Sequence, residues 1–150
     1  QSIIKSQALK HIHDEHHPVK IFVAPTMKFM EWRVAIQTES YDYVGRAYGR
    51  NITFSDKVKR QQFSPDTLLW QIKSNPEIRT FLKFSSIYRW QIRKLDDQTT
   101  EIRLIDLRYL NKGHYSFAAI AHLTQDQKID HSYIGWVFTE EKLQKKLYSH

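Results

Sequence analysis

Apolar positions change their period several times along the chain, and each change marks a new element. Ile3, Ile4, Ala8, Leu9 and Ile12 recur at helical spacing, so residues 2–17 read as a helix that Ser2 can cap. His16-His17-Pro18 ends it, because proline disfavours helix in the residue before it. Val19 to Pro25 is short, apolar and β-branched, as a strand or extended arm would be. From Phe29 to Thr38 the period is two: Trp32, Val34 and Ile36 alternate with Arg33, Ala35 and Gln37. Glu39 to Asp42 is turn material. Tyr43 to Phe54 continues in strand style, with Gly45 and Gly49 as bulge or twist points.

The middle returns to helical spacing. Ser64-Pro65-Asp66 is a start signal, and Leu68, Leu69 and Ile72 then share a face. Asn75-Pro76-Glu77 stops that helix and opens another to about Leu82, with Ile78, Phe81 and Leu82 as its stripe. Strand patterns follow over residues 87–95, 100–107, 115–123 and 129–138. They are separated by Asp96-Asp97-Gln98, Asn111-Lys112-Gly113 and Gln125-Asp126-Gln127. Thr139-Glu140-Glu141 begins a final helix, with a capping hydroxyl and acids at its positive end. Adjacent strands joined by short turns predict an α+β fold, a twisted antiparallel sheet of hairpin plus meander with packed helices. Trp32, Trp90 and Trp136 are expected at least partly in its core.

Composition narrows the chemistry. The chain has no cysteine, which excludes disulfides, thiolate zinc sites and cysteine nucleophiles. No apolar run approaches the length that spans a bilayer. Lys plus Arg number 23 against 16 Asp plus Glu, a net charge of +7 that suits an anionic partner or simply a solubilising surface. The densest basic patch is Lys57 to Arg60. A start at Gln1, without methionine or signal segment, reads as a cut point in a longer protein.

Three kinds of site can be weighed. His11, His13, His16 and His17 cluster around Asp14 and Glu15, and on a helix His13 and His17 face one way as two metal ligands can. The zincin spacing is not met, no third ligand is evident, and a solvated helix end accounts for the cluster as well. A nucleophile elbow is absent. Basic residues interleave with aromatics in Tyr88-Arg89-Trp90 and Arg108-Tyr109, as stacking platforms require. A sheet with one aromatic and one charged face gives the same pattern, so nucleic acid is not the leading partner.

Several pieces coincide in a family likeness. Val23-Ala24-Pro25 leads into Trp32-Arg33-Val34, then a tyrosine-rich hairpin, Tyr41 to Tyr48. Phe81-Leu82-Lys83-Phe84-Ser85, a strand opening at Tyr88, Ile105-Asp106-Leu107-Arg108-Tyr109 and Phe117-Ala118-Ala119 follow. Over residues 19–125 the chain resembles the C-terminal soluble part of the membrane-bound, metal-dependent hydrolase family, also described as LexA-binding, inner membrane-associated hydrolases. The resemblance implies that residues 1–17 continue from an upstream membrane region and that residues 18–150 form one soluble accessory domain. That domain would lie on the cytoplasmic side of the cell membrane and bind a partner or substrate there. Its partners would be the upstream transmembrane region and an anionic lipid surface. A divalent metal, zinc or manganese, would be held in the N-terminal part. The family's metal-ligand stretch has no counterpart here, so no catalytic residue carries over. A nucleic-acid or transcription-factor contact is the alternative role.

Asp106, Arg108 and Tyr109 stand at a predicted strand end. Alternation puts Asp106 and Arg108 on one face, where arginine's planar fork can pair with a carboxylate. Either Asp106 holds Arg108, Arg89 or Arg103 and fixes the sheet, or Arg108 meets an anionic ligand with Tyr109 at the rim.

Overall fold

The computed structural model describes residues 1–10, 12, 20–61, 72–110, 116–137 and 139–149. They fall into two compact units, Gln1–Arg60 and Gln61–His150. Each holds a four-stranded antiparallel sheet in sequential strand order. The α+β class and the antiparallel pairing are as expected. The single sheet running from hairpin into meander is not: the strands close into two separate sheets.

The first unit contains α1 (Ser2–Lys10), β1 (Lys20–Pro25), β2 (Glu31–Gln37), β3 (Tyr41–Tyr48) and β4 (Asn51–Lys59). Ile4 and Ala8 of α1 are buried against Val23, Val34, Ile36, Tyr43 and Ala47. Ile3 and Leu9, expected on the same stripe, face solvent instead. Positions four apart lie over one another on a helix, so Ile4 and Ala8 make a narrow seam, and Ile12, beyond the end of α1, is half-buried against the same core. The β2–β3 connection is set by Thr38, whose hydroxyl accepts from Ser40 N at 3.2 Å and Tyr41 N at 2.9 Å.

The stretch read as one strand from Tyr43 to Phe54 is two, paired antiparallel and reversed at Gly49-Arg50. Gly49 takes φ 60°, a left-handed conformation that costs glycine nothing. The ladder slips between Val44 and Gly45. A Cβ on Gly45 would lie 2.3 Å from the Thr53 carbonyl oxygen, so only glycine fits there. The slip leaves Ser55 unmatched and returns Phe54 and Ile52 to the core face. A one-residue change of register exchanges the two faces of a strand, which is why this bulge matters.

The second unit contains α2 (Pro76–Phe84), β5 (Tyr88–Lys94), β6 (Thr100–Asp106), β7 (Ser116–Leu123), β8 (Ile129–Val137) and α3 (Glu140–Leu147). Asn75 caps α2 by accepting from Ile78 N, with Pro76 in the first turn. Thr139 caps α3 by accepting from Lys142 N. Both helices start where the sequence places them. Asp96 Oδ1 accepts from Gln98 N and Thr99 N, which makes the β5–β6 turn.

Helices cover this sheet on both faces. Ile72, Ile78 and Phe81 pack on Ile102, Leu104, Ala119, Ala121 and Leu123. Leu143 and Leu147 pack on Ile120 on the other side, with Tyr133 and Val137. The central strand β7 is therefore buried through nearly its whole length, and its sequence Phe-Ala-Ala-Ile-Ala-His-Leu lacks an exposed face. Trp32 and Trp90 are half-buried, whereas Trp136 is 41% exposed. Among the described residues the cores are carried by aliphatic residues with Tyr43 in the first unit and Phe81 in the second.

Candidate functional site

Asp106 ends β6 on the α2 side and has no exposed surface. Arg108 lies beyond the strand, in a turn where Asp106 Oδ1 accepts from Arg108 N at 2.9 Å. That turn swings the guanidinium back, and Nε and Nη2 fork onto the carboxylate at 3.0 and 2.7 Å. Arg108 Nη2 also donates to the Phe84 carbonyl at 2.8 Å, and Ser85 Oγ donates to Asp106. The hydrogen bonds to Asp106 hold the Arg108 guanidinium above its ordinary pKa, against some desolvation. So the expected pairing is made, but by a turn rather than by strand alternation. It ties the end of α2 to the end of β6. Tyr109 stacks on Phe84 at 6.4 Å and meets Trp136 edge-on at 5.0 Å.

Arg89 belongs elsewhere. It faces the α3 side with Arg103, while Asp106 faces α2, so the sheet separates Asp106 from both alternative partners. Arg89 is buried at 6% exposure. His13 and His17 lie outside the described residues. Among the described residues no group of three or more His, Asp or Glu side chains is placed to hold a metal ion.

The α3 face holds a polar network that residue spacing did not reveal. Glu101 and His122 sit opposite each other across β6 and β7, both almost fully buried. His122 Nε2 lies 3.0 Å from the Glu101 carboxylate, and Nδ1 lies 2.6 Å from the Tyr148 hydroxyl. The pattern fits an imidazole that donates to Glu101 and accepts from Tyr148. Arg103 bridges Glu101 at 2.9 Å and Glu140, at the start of α3, at 2.8 and 2.9 Å. The carboxylate-x-arginine geometry expected at Asp106 thus occurs at Glu101 and Arg103, two apart on one strand face. A groove of about 390 Å³ adjoins it between Gln61, Gln91, Arg93 and Glu140.

Two groups of this network are shifted from their ordinary titration range. Partial burial pushes the Tyr148 phenol up, and the nearby carboxylates of Asp130, Glu101 and Asp96 add to that. The hydrogen bond to Arg103 lowers the Glu140 carboxyl from 4.5 to about 2. A depressed folded-state pKa contributes stability above the unfolded value and loses it as pH falls toward the folded one. Glu140→Gln should therefore flatten the loss of stability between pH 4.5 and about 2, as read from urea midpoints across that range. An unchanged slope would show that the pair adds nothing.

Among the described residues the most exposed apolar surface is the β1–β2 connection. Met27, Phe29 and Met30 are 105%, 84% and 54% exposed. The loop is nonetheless tied down. Thr26 N donates to Glu31 O at 3.0 Å, Glu31 N to Lys28 O at 3.2 Å, and Thr26 Oγ1 to Glu31 Oε1 at 2.9 Å. Met30 takes φ 59°, a left-handed conformation uncommon for a residue with a side chain. The sequence signal was there, Met-Lys-Phe-Met between two strands, but it reads equally as the start of a half-buried strand.

Residues 67–147 match the family model described as the YfhP C-terminal alpha/beta plait domain, and residues 15–58 match that of the YfhP middle domain. These ranges fall within the two structural units. The uncharacterised protein YfhP of Bacillus subtilis (strain 168) is 43% identical over 144 residues, or 96% of this chain. The chain spans 43% of that relative's length. No solved structure matches it. The resemblance to the membrane-bound, metal-dependent hydrolase family is corrected by these matches, none of which points to a hydrolase or a metal. The placement at the cell membrane rested on that resemblance and falls with it. Among the described residues no helix is long and apolar enough to cross a membrane. Through models that together match most of its length, the chain belongs to the YfhP family.

Proposed function

We propose that this chain is a binding domain rather than a catalyst, and that it meets an apolar surface through the 26–31 connection. The observation that carries the reading is the tip itself: three large apolar side chains extruded from a hydrogen-bonded hairpin end. Single exposed apolar residues are ordinary on proteins, but a cluster marks a contact surface. The ionisable groups of the second unit support the non-catalytic part. Asp106 with Arg108, Glu101 with His122, and Arg103 with Glu140 answer one another. The nucleic-acid alternative is less favoured. Tyr88 and Trp90 pack against the core of α2 and the sheet, and Arg89 is buried, so that segment does not offer a base-stacking platform.

The test is association with phenyl-agarose at fixed ionic strength, comparing the native chain with a Met27→Ser, Phe29→Ser, Met30→Gly variant. Glycine suits the backbone at Met30, and the other two positions are exposed, so the melting temperature should hold. The native chain should be retained and the variant should elute early. Equal retention with equal folding would overturn the reading.

A further inference from the structure

We infer that the surface met by the tip is an anionic lipid headgroup layer, an inference that rests on reading the tip as the contact site. The contact involves one face of a bilayer and no spanning segment. Shape is the first argument. The tip's side chains stand out into solvent, and Met and Phe are apolar groups that suit a fluid acyl boundary. Charge is the second. In a sequential meander the β1–β2 and β3–β4 connections lie at the same end of the sheet. That end carries Lys28 within the tip and Arg50 in the neighbouring turn, both exposed. The nearest acid, Glu31, is taken by the Thr26 hydroxyl and lies 3.8 Å from Arg46, so the end is positive on balance. The whole chain is +7.

Tyr48 is the third argument. It pairs directly across from Glu31 and is 61% exposed, which sets an amphipathic ring beside the apolar tip. Tyrosine favours the level where headgroups meet acyl chains. The tip would thus insert its apolar side chains below the phosphates while Lys28 and Arg50 pair with them. Because the hairpin is already hydrogen-bonded, little ordering remains to oppose insertion.

The experiment is sedimentation of the chain with phosphatidylcholine vesicles, with and without phosphatidylglycerol. The native chain should partition onto the phosphatidylglycerol vesicles and far less onto phosphatidylcholine alone. Lys28→Gln with Arg50→Gln should weaken that partition roughly thirtyfold, the worth of two interfacial cations. The same pair should leave retention on phenyl-agarose unchanged. The apolar triple variant should lose both. Retention on phenyl-agarose without vesicle binding would overturn the lipid inference and leave the binding tip standing, with a protein pocket as its partner. Vesicle binding that survives the apolar triple variant would also overturn it. Failure on both supports would overturn the reading beneath it.

Discussion

Arg108→Ala is expected to lower the unfolding free energy by about 3–5 kcal/mol, the usual cost of stranding a buried charge. The reason is asymmetry between the partners. Asp106 has no exposed surface, whereas the Arg108 side chain retains 17%. Removing the arginine leaves a carboxylate with the Ser85 hydroxyl and one backbone N–H for company. It also removes a guanidinium stacked 4.8 Å from the Phe84 ring centre and the bond to the Phe84 carbonyl. Urea unfolding should show a lower midpoint with an unchanged slope, meaning lost stability rather than a changed denatured state. Asp106→Asn combined with Arg108→Ala should recover part of the loss, since no buried charge then remains. A midpoint that stays within error for Arg108→Ala would mean that the turn does not need the pair.

Phe81→Ala is expected to cost a similar amount, about 3–5 kcal/mol. Phe81 is fully buried at the centre of the α2 face. Its ring is stacked on Phe117 at 5.8 Å and meets Tyr88 edge-on at 5.8 Å. Truncation opens a cavity between helix and sheet, and aliphatic neighbours fixed in strands collapse into it only partly. Phe81→Leu should be milder, because it keeps most of the volume. Chemical denaturation of the two variants distinguishes these outcomes. Equal and small losses would show that α2 can slide to close the gap.

Most of the secondary structure was legible because its signals are local. The caps at Asn75 and Thr139, the aspartate turn at Asp96 and the period-two runs of β2, β5 and β6 depend on residues within a few positions of one another. The hairpin inside residues 43–54 was missed because Gly45 and Gly49 look alike in sequence. One permits close approach to Thr53, and the other turns the chain. Which does which depends on the strand alongside.

The candidate site was less legible for the same reason, taken further. Asp106 and Arg108 could be paired from the sequence, since they are two residues apart, although the geometry comes from a turn. The Glu101–His122–Tyr148 network joins side chains 21 and 26 residues apart in pairs, and no spacing rule connects them. Only the β6–β7 register brings Glu101 and His122 face to face, and only the docking of α3 carries Tyr148 to the imidazole.

Local sequence by itself determined the α+β class, the antiparallel strands, the starts of α2 and α3 and the basic balance. Each follows from the side-chain period, a cap or a count, quantities that do not depend on where the rest of the chain goes. Tertiary structure decided that the strands close into two sheets, that α2 and α3 cover opposite faces of the second, and that Met27, Phe29 and Met30 stay outside both cores. Those outcomes turn on which strand edges pair and which apolar faces find a cover. Pairing and cover are contests among distant segments, and an apolar run of given period reads the same whether it wins a place in the core or is left exposed at a hairpin's end.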